Sequence, residues 1–317
     1  MRNITPFMLF VLLLIAGEAS AQLRWLDGDV EAALARSGET GKRVLVYVTA
    51  SWCPACQNLK REVLDAPTHA PLLETFERVT VDFDKESSRR WVRDLVILGL
   101  PTAVVLDSRG QPVGRIRGYE GAGPWTTALA HLRSASDLHL DLEAAAQTDA
   151  TSLATQLDLA RVRLERGDAA AALTALQGLA EAGHPETSPE ALFIMGRYHH
   201  RVMRDPESAR PLWRRLALGF PKSPFASGAW WWYARSEAET GHPSIGVLAL
   251  MDAARERPED PSAARRAVSF AQRHPALFSA LKPALYDLVT RSLERTPDAK
   301  ERADLQETLD MLAPPAP

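Results

Sequence analysis

The chain is poor in cysteine: 317 residues hold two, Cys53 and Cys56. That scarcity excludes the disulfide framework by which small exported domains replace a hydrophobic core. It also argues against zinc, which takes about four ligands. No second cysteine pair exists, and the nearest histidine, His69, lies thirteen residues past Cys56. Charge of one sign is scarce as well. Thirty-seven Lys and Arg stand against forty Asp and Glu, a net charge of −3. This balance favours neither nucleic acid nor an anionic membrane surface as partner.

Long apolar runs are absent after the first twenty-one residues. Within them, Phe7 to Ala16 is unbroken, Arg2 and the amino terminus add positive charge, and Ala19-Ser20-Ala21 fits a small-x-small cleavage site. The apolar stretch falls short of the roughly 20 residues of a comfortable membrane span. No cysteine follows it, so a lipoprotein anchor is not indicated. Residues 1–21 therefore read as a cleavable signal peptide, with an uncleaved anchor as the alternative, and the rest as an exported protein. Arg2 and Glu18 cancel, so cleavage leaves the net charge unchanged. The remainder is long enough for two domains of ordinary size.

What is present is a dithiol in one place. An apolar β-branched run, Val44 to Thr49, leads into Ala50-Ser51-Trp52-Cys53-Pro54-Ala55-Cys56, and a helix-period segment, Gln57 to Leu64, follows. Strand, turn and helix put Cys53 at a helix N-terminus, with Pro54 in the first turn, where a missing N–H costs nothing. The free N–H groups and the dipole there favour thiolate over thiol. Lowering a cysteine pKa from ~8.5 to ~7 needs only ~2 kcal/mol. Cys56, one turn later, is placed to attack a mixed disulfide formed at Cys53. A structural disulfide across so short a loop would restrict the unfolded chain little. The pair reads as a redox couple.

Around it, Asp29 to Ser37 reads as a helix ended by Gly38 and Gly41, and Pro54 to Leu64 as the helix carrying the dithiol. Pro67 to Phe76 is a further helical turn region and Arg78 to Asp84 a strand. Ser87 to Ile97 has helical spacing. Gly99-Leu100-Pro101-Thr102 breaks that pattern ahead of a strand, Ala103 to Leu106, which pairs with Val113 to Arg117 across the turn Asp107 to Gly110. Pro124 to Arg133 closes the unit as a helix. Strands alternating with helices, then a hairpin and a helix, make a sheet covered by helices.

Residues 22–136 resemble a thioredoxin-fold domain. Within that superfamily they are most similar to the C-terminal periplasmic domain of the DsbD thiol:disulfide reductases. The likeness rests on Ser51-Trp-Cys-Pro-Ala-Cys56, Arg61-Glu-Val-Leu-Asp-Ala-Pro67, Val81-Asp-Phe-Asp84, Val96-Ile-Leu-Gly-Leu-Pro-Thr102 and Gly118. A Cys-x-x-Cys alone is a moderate signal; joined to Gly-Leu-Pro-Thr about 45 residues on, it is strong. The resemblance implies catalytic roles for Cys53 and Cys56, a cis peptide bond at Pro101 facing them, and Trp52 shielding one side of Cys53. It implies that Leu100 offers its backbone to an extended substrate, beside Pro54. It implies no cofactor, a periplasmic location, a protein disulfide as substrate and a membrane electron donor of the DsbD type. Two positions depart from the pattern: Tyr47 replaces the buried acid six residues before Cys53, and Lys60 replaces a second acid seven residues after it. With a phenol pKa near 10, Tyr47 is a poor base. The direction of electron flow stays open between reductase and oxidant or isomerase.

From about Leu140 the composition turns to alanine, leucine and arginine with helical periodicity. Ala160, Gly196 and Ala234 recur at 36 and 38 residues, each followed by a second small residue, Ala172, Ala209 and Gly246. Turn signals, Arg166-Gly-Asp168, Arg204-Asp-Pro206 and Thr240-Gly-His-Pro243, fall between, and Pro185, Pro221 and Pro258 follow. Residues 140–312 thus look like tetratricopeptide repeats, an all-α solenoid whose groove would hold a protein or peptide. Ser262 to Leu312 would add capping helices, and 313–317 a disordered tail. Among Trp230, Trp231, Trp232 and Tyr233, one or two belong in a core, the others at a groove or domain interface. The adjacent His199 and His200 diverge in direction, which suits polar contacts and not a metal. The expected protein is an exported thiol–disulfide oxidoreductase with a helical tail that selects clients or docks the donor; an assembly adaptor with a secondary redox role is the alternative.

Overall fold

The computed structural model describes residues 23–134 and 138–313, with the side chains of 138–140 left aside. The leader and the last four residues of the tail lie outside the described residues.

Strand β2 (Val44–Thr49) is buried in all but its last residue. A strand reads as continuously apolar when both of its faces are covered. Val44, Val46 and Val48 enter one core, Leu45 and Tyr47 the other. β2 runs parallel to β3 (Glu77–Asp82) and antiparallel to β4 (Thr102–Leu106), which pairs antiparallel with β5 (Pro112–Arg117). A two-residue strand β1 (Leu26–Asp27), too short to show a period, adds in parallel beside β3, giving the order β1-β3-β2-β4-β5. Helices α1 (Val30–Thr40) and α4 (Arg89–Asp94) cover one face. Helices α2 (Pro54–Leu59), α3 (Ala70–Leu73) and α5 (Ala122–Leu132) cover the other.

Several boundaries differ from expectation, three of them for a reason the structure shows. α1 runs through Gly38 and stops at Gly41, whose φ of 70° lets its N–H cap Ser37 C=O. An interior glycine costs a helix only about 1 kcal/mol, whereas termination needs the left-handed residue. The dithiol helix changes at Lys60 into a π-helical turn (Lys60–Leu64), where the Asp65 N–H reaches back five residues to Lys60 C=O at 2.9 Å. α4 stops at Asp94, short of Ile97, because Val96 turns to φ 48°.

The rest is helical: α6 (Leu138–Thr148), α7 (Leu153–Glu165), α8 (Ala169–Glu181), α9 (Thr187–Arg197) with a π-helical extension (Tyr198–Met203), α10 (Pro206–Gly219), α11 (Ala226–Glu239), α12 (Pro243–Glu256), α13 (Pro261–Gln272), α14 (Pro275–Arg295) and α15 (Ala299–Leu312). Each helix packs mainly on its neighbours in the chain. The recurring small residues mark the crossings. A Cβ on Gly246 would lie 2.6 Å from Ala234 C=O, and one on Gly196 would lie 2.6 Å from the Trp213 ring. Pro185, Pro221 and Pro258 fall between α8 and α9, α10 and α11, and α12 and α13. An α/β sheet domain followed by an all-helical stack is the predicted fold class.

The two halves share side chains. Val96 of the sheet domain is buried in the helical core, and Leu98 packs against it. Arg115 on β5 and Glu165 at the end of α7, both side chains 5% exposed, form an ion pair at 3.1 Å. Arg117 binds the same carboxylate, with Nε at 2.8 Å from Oε1.

Candidate functional site

Cys53 is the N-cap of α2 and Pro54 its first residue. The cap forms because proline needs no partner for its nitrogen and because the Cys53 sulfur accepts the Cys56 N–H at 3.2 Å. Cys53 and Cys56 are joined by a disulfide, their Cα atoms 5.2 Å apart. Cys53 is 5% exposed and Cys56 1%, so both are buried and the first is the more reachable of the two. The expected Trp52 lies beside them but is 56% exposed. Its indole N–H donates to Asp84 Oδ2 at 2.5 Å, an anchor on the loop after β3. Asp84 stands in the Val81–Asp84 motif, which carried the resemblance without assigning that carboxylate a role.

The two departures from the family pattern have partners of their own. Tyr47 is buried, and its hydroxyl donates to Cys56 C=O at 2.9 Å. Burial pushes the phenol pKa above its ordinary value, so the group steadies the helix and is no proton acceptor near neutral pH. Lys60 Nζ pairs with Asp65 at 3.3 Å, both side chains exposed. That ion pair opens onto a cavity of about 560 Å³ that Tyr47 also lines. The lysine charge is thus committed to Asp65.

The segment from Leu95 to Thr102 completes the site. The Leu100–Pro101 peptide is cis, and Leu100 packs against the cluster that holds both cysteines. Most carbonyls of this segment are claimed. Arg115 Nη1 donates to Leu95 C=O at 2.9 Å and to Val96 C=O at 3.3 Å. Thr102 Oγ1 donates to Gly99 C=O at 2.8 Å, and the Gly118 N–H to Pro101 C=O at 2.8 Å. Leu100, packed on the dithiol cluster, keeps a carbonyl and an N–H that both lack hydrogen-bond partners among the described residues.

Sheet order, dithiol at a helix cap and cis proline agree with a match to the family of thioredoxin-like domains over residues 30–133. Residues 30–133 are a thioredoxin-like domain. The thiol:disulfide interchange protein DsbD of Cronobacter sakazakii is 30% identical over 105 residues, 32% of this chain and 18% of that protein. The DsbD of Vibrio cholerae is 29% identical over 105 residues, with the same two shares. The alignment therefore spans less than a fifth of these relatives' length. Among solved structures, a thioredoxin from Thermus thermophilus is 30% identical with a TM-score of 0.32, covering 35% of this chain and 87% of that one. The oxidised DsbD C-terminal domain of Neisseria meningitidis is 18% identical with a TM-score of 0.31, covering 35% of this chain and all of that one.

Against the thioredoxin-like domain the helical half presents an aromatic and arginine cluster. Trp232 is buried in its core, and Tyr233 beside it. Trp230 and Trp231 are partly buried between the two helical cores. His200 is buried on the Trp232 ring, its Nδ1 3.1 Å from Ser236 Oγ and its Nε2 3.1 Å from Glu239. The guanidiniums of Arg197, Arg201 and Arg235 stand 4.5, 5.4 and 5.4 Å from the Trp232 ring. Arg201 also lies 4.8 Å from Phe83 of the sheet domain. Sequence reasoning missed this cluster, because adjacency across two domains leaves no local period.

Proposed function

We propose that the protein is an exported thiol–disulfide oxidoreductase of the periplasm that reduces protein disulfides, with its helical half, of tetratricopeptide-like build, selecting the client or docking the electron donor. The observation that carries the reading is the position of Cys53 as a helix cap, one turn from a buried Cys56 and beside the unclaimed backbone of Leu100. The relatives' designation as thiol:disulfide interchange proteins supports it. Among the described residues no helix is long and apolar enough to cross a membrane; in this reading a donor dithiol supplies the reducing power.

In the reduced protein, the helix N-terminus and the Cys56 N–H favour a thiolate at Cys53. That thiolate attacks one sulfur of a client disulfide. A bond forms between Cys53 and the client, and the other client sulfur leaves as a thiolate. Cys56, once deprotonated, attacks the Cys53 sulfur and closes the Cys53–Cys56 bond, releasing the second client sulfur as a thiolate. Two electrons pass to the client, protons from solvent complete its thiols, and a donor dithiol resets the pair. Leu100 would hold the client strand by main-chain hydrogen bonds, with Pro101, Trp52 and Pro54 bordering the cysteine.

The reduction potential of Cys53–Cys56 tests the direction. Equilibration in defined thiol buffers, with trapping of free thiols, should give a value near the −270 mV or so of thioredoxins. A value near about −120 mV, that of strong oxidants, would overturn the reductase reading in favour of an oxidant.

A further inference from the structure

A cavity of about 280 Å³ lies where the two halves meet. One wall is the loop Leu98-Gly99-Leu100-Pro101-Thr102; the facing wall comes from α7, α9 and the start of α11, with Phe193 and Phe225 as its apolar part. The two rings pack on each other, centroids 4.9 Å apart. Four arginines line the cavity, Arg115, Arg117, Arg161 and Arg197, against two glutamates, Glu165 and Glu190.

The charges are unevenly matched. Glu165 is held by Arg115 and Arg117. Glu190 is held by Arg161. Arg197 is left over. Among the described residues its guanidinium has no carboxylate or carbonyl partner, its Nε is buried without a hydrogen bond, and it rests on the Phe193 and Trp232 rings at 5.1 and 4.5 Å. Burial, with Arg201 and Arg235 adding repulsion, pulls its pKa down to about 9. A partly buried cation without a counterion carries a desolvation cost, and an anion brought to it offsets that cost.

We propose that this cavity is the client-recognition subsite and takes a carboxylate side chain, aspartate or glutamate, close in sequence to the client's reactive cysteine, with Arg197 receiving it. The cavity shares Leu100 and Pro101 with the dithiol site, so a client strand paired to Leu100 carries a neighbouring side chain to its mouth. Phe193 and Phe225 accommodate the methylene stem, and Arg197 the charge. The assignment rests on the oxidoreductase reading and names the class of client it would act on.

The test uses the full chain, reduced beforehand, and two synthetic peptides with an internal disulfide that differ only in an aspartate or an asparagine near the second cysteine. We expect the aspartate peptide to be reduced about tenfold faster, in keeping with a charge-assisted hydrogen bond. Arg197→Gln should bring the two rates within about twofold of each other; a small uncharged aromatic disulfide, reacted with the unmodified protein, is the control. Circular dichroism of the variant reports that it is folded, and the comparison of peptides on the unmodified protein needs no variant. Equal rates for the two peptides, with the small disulfide reacting normally, would overturn the subsite and leave the oxidoreductase standing. No reaction with the small disulfide would overturn the oxidoreductase reading itself, and the subsite with it.

Discussion

Arg115 and Glu165 form a buried ion pair across the two halves of the molecule, Nε to Oε2 at 3.1 Å. The same guanidinium donates to the carbonyls of Leu95 and Val96 and, through Nη2, to Glu165 C=O at 3.0 Å. One side chain thus ties the end of α7 to the segment that leads into Leu100 and Pro101. Val96 sits in that segment at φ 48°, a conformation that costs a β-branched residue about 1–3 kcal/mol. Its side chain is buried in the helical core, which holds it there. The helical half therefore braces the loop beside the dithiol.

Glu165→Gln should destabilise the protein by about 3–5 kcal/mol, because Arg115 would stay buried without its counterion. Burial already pulls the Arg115 pKa down to about 10 despite Glu165. Arg117→Ala should cost about 1 kcal/mol or less, since that side chain is 43% exposed. Denaturant unfolding of the three proteins checks the ranking; a Glu165→Gln loss no larger than that of Arg117→Ala would contradict it.

Cys56→Ser should trap a mixed disulfide between Cys53 and a client peptide, since nothing remains to resolve it. Cys53→Ser should form no adduct, because Cys56 is 1% exposed. Intact-mass measurement after incubation with a disulfide peptide separates these outcomes. Adducts on the Cys53→Ser protein would show that the second cysteine is the reachable one.

Gly246→Ala should cost about 1–3 kcal/mol, because the new Cβ meets backbone atoms of Ala234, which cannot swing aside. Gly178→Ala, in the last turn of α8 with nothing within 4 Å of its Cβ, should instead gain up to about 1 kcal/mol. Thermal unfolding should move in opposite directions for the two. A shift of the same sign in both would contradict the assignment of Gly246 to a helix crossing.

Acid should weaken the helical half through Glu239. Burial by itself would raise this carboxyl, but hydrogen bonds from His200 and Arg235 hold it at about 2. A folded-state pKa below the unfolded value of about 4.5 gives stability that is present above pH 4.5 and lost as pH falls from there towards 2. Glu239→Gln should flatten that part of the stability–pH curve, read by urea midpoints between pH 5 and about 2.5. A curve of unchanged slope would show that the carboxylate is not so placed.

Much was legible because it is local. Trp52-Cys53-Pro54-Ala55-Cys56 states a turn and a helix start in its own residue types, and the apolar run from Val44 announces a strand buried on both faces. Ala234 and Gly246 announced a helix crossing by size alone. Where the reading failed, competing interactions decided. Gly38 was outweighed by the helix around it, and the π-helical turn at Lys60 depends on a hydrogen bond to Asp65 that no propensity marks. Val96 left the helical pattern because its side chain is claimed by another domain.

By itself, then, the sequence determined the redox dithiol, the sheet that carries it and the helical stack that follows, since each rests on spacing within a few turns or on a repeat. Only the tertiary structure decided which face of that stack meets the dithiol domain. Arg115, Arg197 and Glu165 look like ordinary surface charges in a linear chain. Their burial, pairing and lack of pairing arise between segments some 50 to 80 residues apart, where no local period exists to reveal them.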